Sequence, residues 1–170
     1  MTALEADRAE LDRFVTAAFL HADRDNFASL RAFRDGADGV WRYEEWSTVR
    51  IGDTLDALVE AAFRFSGICA AADEAVCFAP PIATFTSADK ADQASLANGL
   101  VISAELDSAP HRARKRLETV LGPATLAMLS GGRWTDPGTG EIEDKLHLHW
   151  RLASPTRTKI EHDLDRKSVV

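Results

Sequence analysis

The chain has 170 residues, with 20 Lys and Arg against 27 Asp and Glu, and a formal net charge of −7. That length fits one domain with a real core, and 45% hydrophobic with 28% charged residues argues against wholesale disorder. No run approaches the roughly 18 unbroken apolar residues of a membrane span, and the acidic balance argues against coating nucleic acid with the whole surface, though not against a local basic groove. Glu5, Asp7, Glu10 and Asp12 crowd the start, where no apolar signal core is present, so the expected setting is cytoplasmic, without a membrane. Cys69 and Cys77 lack metal-knuckle spacing and read as buried thiols in a reducing cytosol.

Along the chain, Leu11, Phe14, Val15, Ala18 and Phe19 recur at helical spacing and predict an amphipathic helix over 4–22. Residues 27–33 predict a strand, and Asp35-Gly36 a turn. Residues 41–51 are aromatic-rich and fit no single pattern. Trp41, Tyr43 and Trp46 are of the type that stacks on bases, but core packing is the expectation for them. Gly52-Asp53-Thr54 predicts a helix cap, followed by Leu55, Leu58, Val59, Ala62 and Phe63 on one helical face. Short strands are expected over 75–78 and 82–85, then a weak helix or ordered loop over 89–96.

The second half is more regular. Residues 100–106 predict a buried strand, Pro110 a helix start, and Gly122-Pro123 that helix's end near Leu121. Residues 124–129 predict another strand, 130–144 a long glycine- and proline-marked loop, and 145–152 a cleanly alternating strand. The expected class is α+β, with an antiparallel or mixed sheet and helices packed on one face, in a single domain over 1–164.

Two constellations carry chemistry. Glu105 and Asp107 alternate on a strand, so both carboxylates project from one face, about 7 Å apart, and can ligate hard cations such as Mg²⁺ or Mn²⁺. A strand end with two solvated acids is the plain alternative. Lys145, His147, His149 and Arg151 project from one face of the later strand, a pattern that suits a polyanion such as a triphosphate or simply a solvated edge. Between them, Ser130-Gly131-Gly132-Arg133 offers backbone amides to phosphate oxygens, or a turn. His111, Arg112, Arg114, Lys115 and Arg116 form a basic helix stretch, able to meet a nucleic-acid backbone or only water.

In order and spacing, the acidic pair Glu105-Leu106-Asp107, the turn Ser130-Gly131-Gly132 and the strand Lys145-Leu146-His147-Leu148-His149-Trp150-Arg151 resemble the catalytic core of the archaeo-eukaryotic primase superfamily. The nearest likeness is to RepB-like primase and primase-polymerase domains of plasmids, phages and mobile elements, and it covers roughly residues 27–164. The resemblance implies an RRM-like, primase-type core and template-directed nucleotidyl transfer. Glu105 and Asp107 would hold Mg²⁺ or Mn²⁺, and His147 would be the motif histidine. Ser130, Lys145, His149 and Arg151 would contact the incoming nucleotide. The implied partners are nucleoside triphosphates and a single-stranded DNA template, with a helicase region common downstream in such proteins.

Three departures accompany it. Glu105 stands where Asp is commoner, and Lys145 where a small residue is expected. The third family acid has no match, Glu161 and Asp163 lying in an expected helix start. Residues 165–170 back-translate, with one codon choice, as GAT CGG AAG AGC GTC GTG, a common sequencing adapter. The expectation is therefore that the natural reading frame departs after Leu164, that the third acid lay beyond it, and that this chain as written is weak in synthesis. Two other readings stand beside it. His147-Leu148-His149 matches the His-hydrophobic-His motif of rolling-circle nucleases and relaxases, for which Tyr43 is the only tyrosine. A catalytically inactive DNA- or nucleotide-binding module of a replication protein is the other.

Overall fold

The structure is a computed structural model, and it describes residues 5–35, 41–74, 76–158 and 160–161. The chain is α+β, as expected, and every strand pairing with a described register is antiparallel. It divides into two compact units, Met1–Leu100 with Ser154–His162, and Val101–Ala153.

The first unit opens with α1, Arg8–Phe19, shorter than the periodicity suggested. Asp7 sets its start, because its carboxylate accepts hydrogen bonds from the Ala9 and Glu10 amides at 2.9 and 3.1 Å. Strands β1 (Phe27–Asp35) and β2 (Trp41–Arg50) pair, followed by α2 (Asp56–Ala71) and the short strands β3 (Cys77–Ala79) and β4 (Ala83–Phe85). The strand order is β2-β1-β4-β5, with β3 also on β1 and β5 spanning Leu96–Leu106. Alternation along β1 puts Ala28, Leu30 and Ala32 on one face, all fully buried. Helix α1 packs on α2, which in turn covers β1, β2 and β3.

The second unit takes the end of β5, then α3 (Pro110–Leu121), β6 (Leu126–Thr135) and β7 (Ile142–Thr156), in strand order β5-β7-β6. Its core is Leu106, Leu146, Leu148 and Trp150, against which Ala113, Leu117 and Leu121 of α3 pack. Pro110 opens α3 as expected. Ala109 before it adopts φ +43°, and no side chain of its own caps the helix. The Glu143 carboxylate of β7 does so instead, accepting from the His111 amide at 2.9 Å. At the other end, the Trp150 indole donates to the Gly122 carbonyl at 2.9 Å.

Several expectations are corrected. Residues 130–144 are not one long loop. β6 runs on to Thr135 and β7 begins at Ile142, leaving only a tight turn in which the Asp136 carboxylate accepts from the Gly138 and Thr139 amides. Gly131 and Gly132 sit in an irregularity of β6 between Leu129 and Arg133. Of the two alternatives for residues 89–96, the ordered loop is found over 89–95, closed by Ser95 and Asp92, while Leu96 already opens the strand Leu96–Leu106. Helix α2 is preceded by Leu55 with no side-chain cap, because the Thr54 hydroxyl donates to Asp56 at 3.0 Å. Of residues 41–51, Trp41–Arg50 form the strand β2. Tyr43 and Trp46 are exposed rather than in the core, while the Trp41 side chain and Gly36 lie outside the described residues. Cys69 is half-buried and Cys77 exposed, the latter opening a three-residue strand too short to cover it.

Leu148 is fully buried at the centre of the second unit's core. Leu148→Ala should destabilise the protein by about 2–5 kcal/mol, read as a shifted urea midpoint at constant slope. A shift below about 0.5 kcal/mol would contradict this account of the core.

Candidate functional site

Alternation along β5 and β7 builds the site from both constellations. On β5, Leu106 turns into the core beneath α3, so Ser103, Glu105 and Asp107 stand on the opposite face and are exposed. On β7, Leu146, Leu148 and Trp150 take the core side, leaving Lys145, His147, His149 and Arg151 on the other.

Two contacts join the rows. Lys145 Nζ lies 3.0 Å from Asp107 Oδ1, and Ser103 Oγ lies 2.7 Å from His149 Nδ1. The contacts are four residues apart on each strand and run in opposite senses. Glu105 therefore sits between Asp107 and Ser103 as His147 sits between Lys145 and His149. The acidic pair and the cation-bearing strand share one face, at adjacent strands of one unit.

The remaining site residues fall at graded distances. Ser130 is exposed in the β6 irregularity. Arg151 is half-buried, and its amide donates to the Thr125 hydroxyl at 3.0 Å. It lies six residues from Lys145, about 20 Å along the strand, so it stands at the far end of the row from Asp107. Arg133 lies 3.6 Å from Asp144, pairing across β6 and β7. The end of the described chain forms a helix-start turn, in which Glu161 accepts from the Arg157 amide at 2.7 Å, while Asp163 and residues 165–170 lie outside the described residues.

Two contributors escaped the sequence reading. Ser103 is the first member of the same i, i+2 row as Glu105 and Asp107, and extending that row backwards would have found it. Gly132 seats Lys145: a Cβ there would meet Lys145 Cδ at 2.9 Å, so the lysine stem lies across the missing side chain. The glycine serves a side chain's approach here, where the sequence suggested a backbone cradle for phosphate.

The electrostatics divide the face. The Asp107 side chain is 66% exposed and that of Lys145 31%, so their ion pair contributes no more than about 1 kcal/mol. It neutralises the carboxylate but exchanges readily. His149 is buried, only 6% exposed, and burial, helped by the neighbouring His147 charge, pushes its pKa down to about 4. It is therefore neutral at pH 7 and acts as a hydrogen-bonding group toward Ser103, with no cationic charge to offer.

Whether a divalent cation fits can be judged from the donors. Two exposed carboxylates on one strand face are hard oxygen ligands of the kind Mg²⁺ and Mn²⁺ use, with water and substrate phosphates completing the shell. Among the described residues no three His, Cys, Asp or Glu side chains form a closed metal cage. The two carboxylates therefore supply only part of a coordination shell. No protein-family model, curated protein or solved structure matches the chain.

The His149 shift has a sign. A histidine whose folded pKa lies below its unfolded value binds fewer protons folded than unfolded, so its stabilising contribution is lost as pH falls from about 6.5 towards 4. Between pH 7 and pH 4.5 the wild type should lose about 2 kcal/mol more unfolding free energy than His149→Gln, measured by urea denaturation at both pH values. Equal losses would show that His149 is not held neutral by the fold.

Proposed function

We propose that the open face of β5 and β7 is a metal-dependent nucleotidyl-transfer site of the primase-polymerase kind, acting on nucleoside triphosphates along a single-stranded DNA template. The observation that carries this reading is the side-by-side placement of two rows, Ser103-Glu105-Asp107 and Lys145-His147-His149, joined at both ends. Such a site needs hard-cation ligands and phosphate-binding groups within reach of each other. The same face supplies both.

Glu105 and Asp107 would hold Mg²⁺ or Mn²⁺, which when bound polarises the phosphates and lowers the barrier to attack by a hydroxyl. His147, opposite Glu105, donates a hydrogen bond to a phosphate oxygen. Lys145 has two partners in turn. Without nucleotide it neutralises Asp107; with nucleotide its ammonium moves to the triphosphate and leaves Asp107 to the cation. Ser103 fixes the His149 ring, which shapes the floor beside His147. His149 is only 6% exposed, which leaves little of its ring open to a metal ion from solvent. For that reason this reading is preferred to a two-histidine metal site of the nuclease kind.

The dual role of Lys145 makes the test specific. In calorimetric titrations of the full chain, Asp107→Ala should abolish binding of the preformed complex of Mn²⁺ with a non-hydrolysable nucleoside triphosphate. Lys145→Met should move two affinities in opposite directions. Mn²⁺ alone should bind roughly 3- to 10-fold tighter, because a cation beside the ligand is gone, while the triphosphate binds roughly 10-fold weaker. Unchanged metal–nucleotide binding in Asp107→Ala would overturn the reading. Nicking of single-stranded DNA that depends on Tyr43 would replace it with the nuclease.

A further inference from the structure

The first unit carries a second cluster that the β5–β7 face does not use. Tyr43 and Trp46 lie three apart on β2, a spacing that puts two residues of a regular strand on opposite faces. The pairing with β1 changes register here: Ala32 opposes Glu45, but Phe33 opposes Tyr43, leaving Glu44 as the extra residue. That bulge turns both rings to one side. Trp46 pairs with Arg31 and Tyr43 with Phe33, both on the face of β1 opposite the buried Ala28, Leu30 and Ala32.

Both rings are exposed, Tyr43 at 62% and Trp46 at 41%, yet both are held. The Trp46 indole donates to Ser29 Oγ at 3.0 Å, and the Arg31 guanidinium sits 5.9 Å from the Tyr43 ring centroid. Arg31 also donates to the Ala91 carbonyl at 2.9 Å, drawing the loop with Asp89, Lys90 and Asp92 beside the rings. The result is a groove of about 370 Å³ lined by these residues. Asp92 also lines the groove, and its Oδ1 accepts from the Ser95 amide and hydroxyl at 2.9 and 2.8 Å.

We infer that this groove binds an unpaired base of a single-stranded nucleic acid. Two fixed aromatic faces suit a planar ring and lose little entropy on binding it. Asp89 can accept from the N–H groups of a base edge. Lys90 and Arg31 supply positive charge for the adjoining phosphodiester. The volume is at the lower end for small-ligand sites and matches a single nucleoside rather than a paired step. This inference does not rest on the nucleotidyl-transfer reading, since every residue it uses belongs to Met1–Leu100.

The test is fluorescence anisotropy of a short end-labelled single-stranded oligonucleotide against the full chain, beside an abasic oligonucleotide of equal length and charge. The intact strand should bind at least about 10-fold tighter than the abasic one. Tyr43→Ala and Trp46→Ala, each with a wild-type circular dichroism spectrum, should lose that difference. Trp46→Phe, which keeps a ring, should retain most of it. Equal binding of intact and abasic strands, or folded alanine variants with wild-type affinity, would overturn the inference. Loss of binding in Asp107→Ala, with Tyr43→Ala unaffected, would place the strand on the β5–β7 face instead.

Discussion

Adjacent antiparallel strands with a period of two leave little freedom in where β5 and β7 present their side chains. Once Leu106 and the row Leu146, Leu148 and Trp150 are buried under α3, the intervening residues must emerge on the other face. The register then decides which acid meets which base. Asp107 meets Lys145, and Ser103 meets His149. A slip of one residue would place Glu105 and Asp107 in the core, where unpaired carboxylates are strongly disfavoured. The same burial that stabilises the second unit therefore also assembles its charged face.

The weakness of the Asp107–Lys145 pair suits the proposed role. A buried, rigid ion pair would hold the carboxylate away from a cation, because breaking it leaves a desolvated charge. Here the carboxylate is 66% exposed and the lysine 31%, so breaking the pair leaves neither charge fully buried. His149, by contrast, is buried and neutral, unlike the exposed carboxylates of Glu105 and Asp107 on the same face.

Much of this face was legible in the sequence. The alternation of residues 145–152 indicated which of them face the core on β7, because a strand with one buried side repeats its apolar residues at every second position. The pair Glu105 and Asp107 followed by the same rule. Glycines were misleading. Gly131 and Gly132 read as a loop because glycine ordinarily punctuates structure, whereas within β6 one takes φ +82° and the other clears the path of Lys145. The stacking type of Tyr43 and Trp46 was legible, but their placement on one side was hidden for a related reason. A bulge at Glu44 has no local signature, and without it Tyr43 and Trp46 would have pointed to opposite sides. The cap of α3 was likewise hidden, since its acceptor Glu143 is 32 residues away in sequence.

The central claim is that the two rows form one cation- and phosphate-binding face. It is tested most directly by paramagnetic broadening. With side-chain carboxyl and imidazole resonances assigned, substoichiometric Mn²⁺ added with a non-hydrolysable nucleoside triphosphate should broaden Glu105, Asp107 and the His147 ring first, leaving the carboxylates at Asp23 and Asp25 sharp. Broadening that begins elsewhere, or that reaches the two acids without His147, would contradict it.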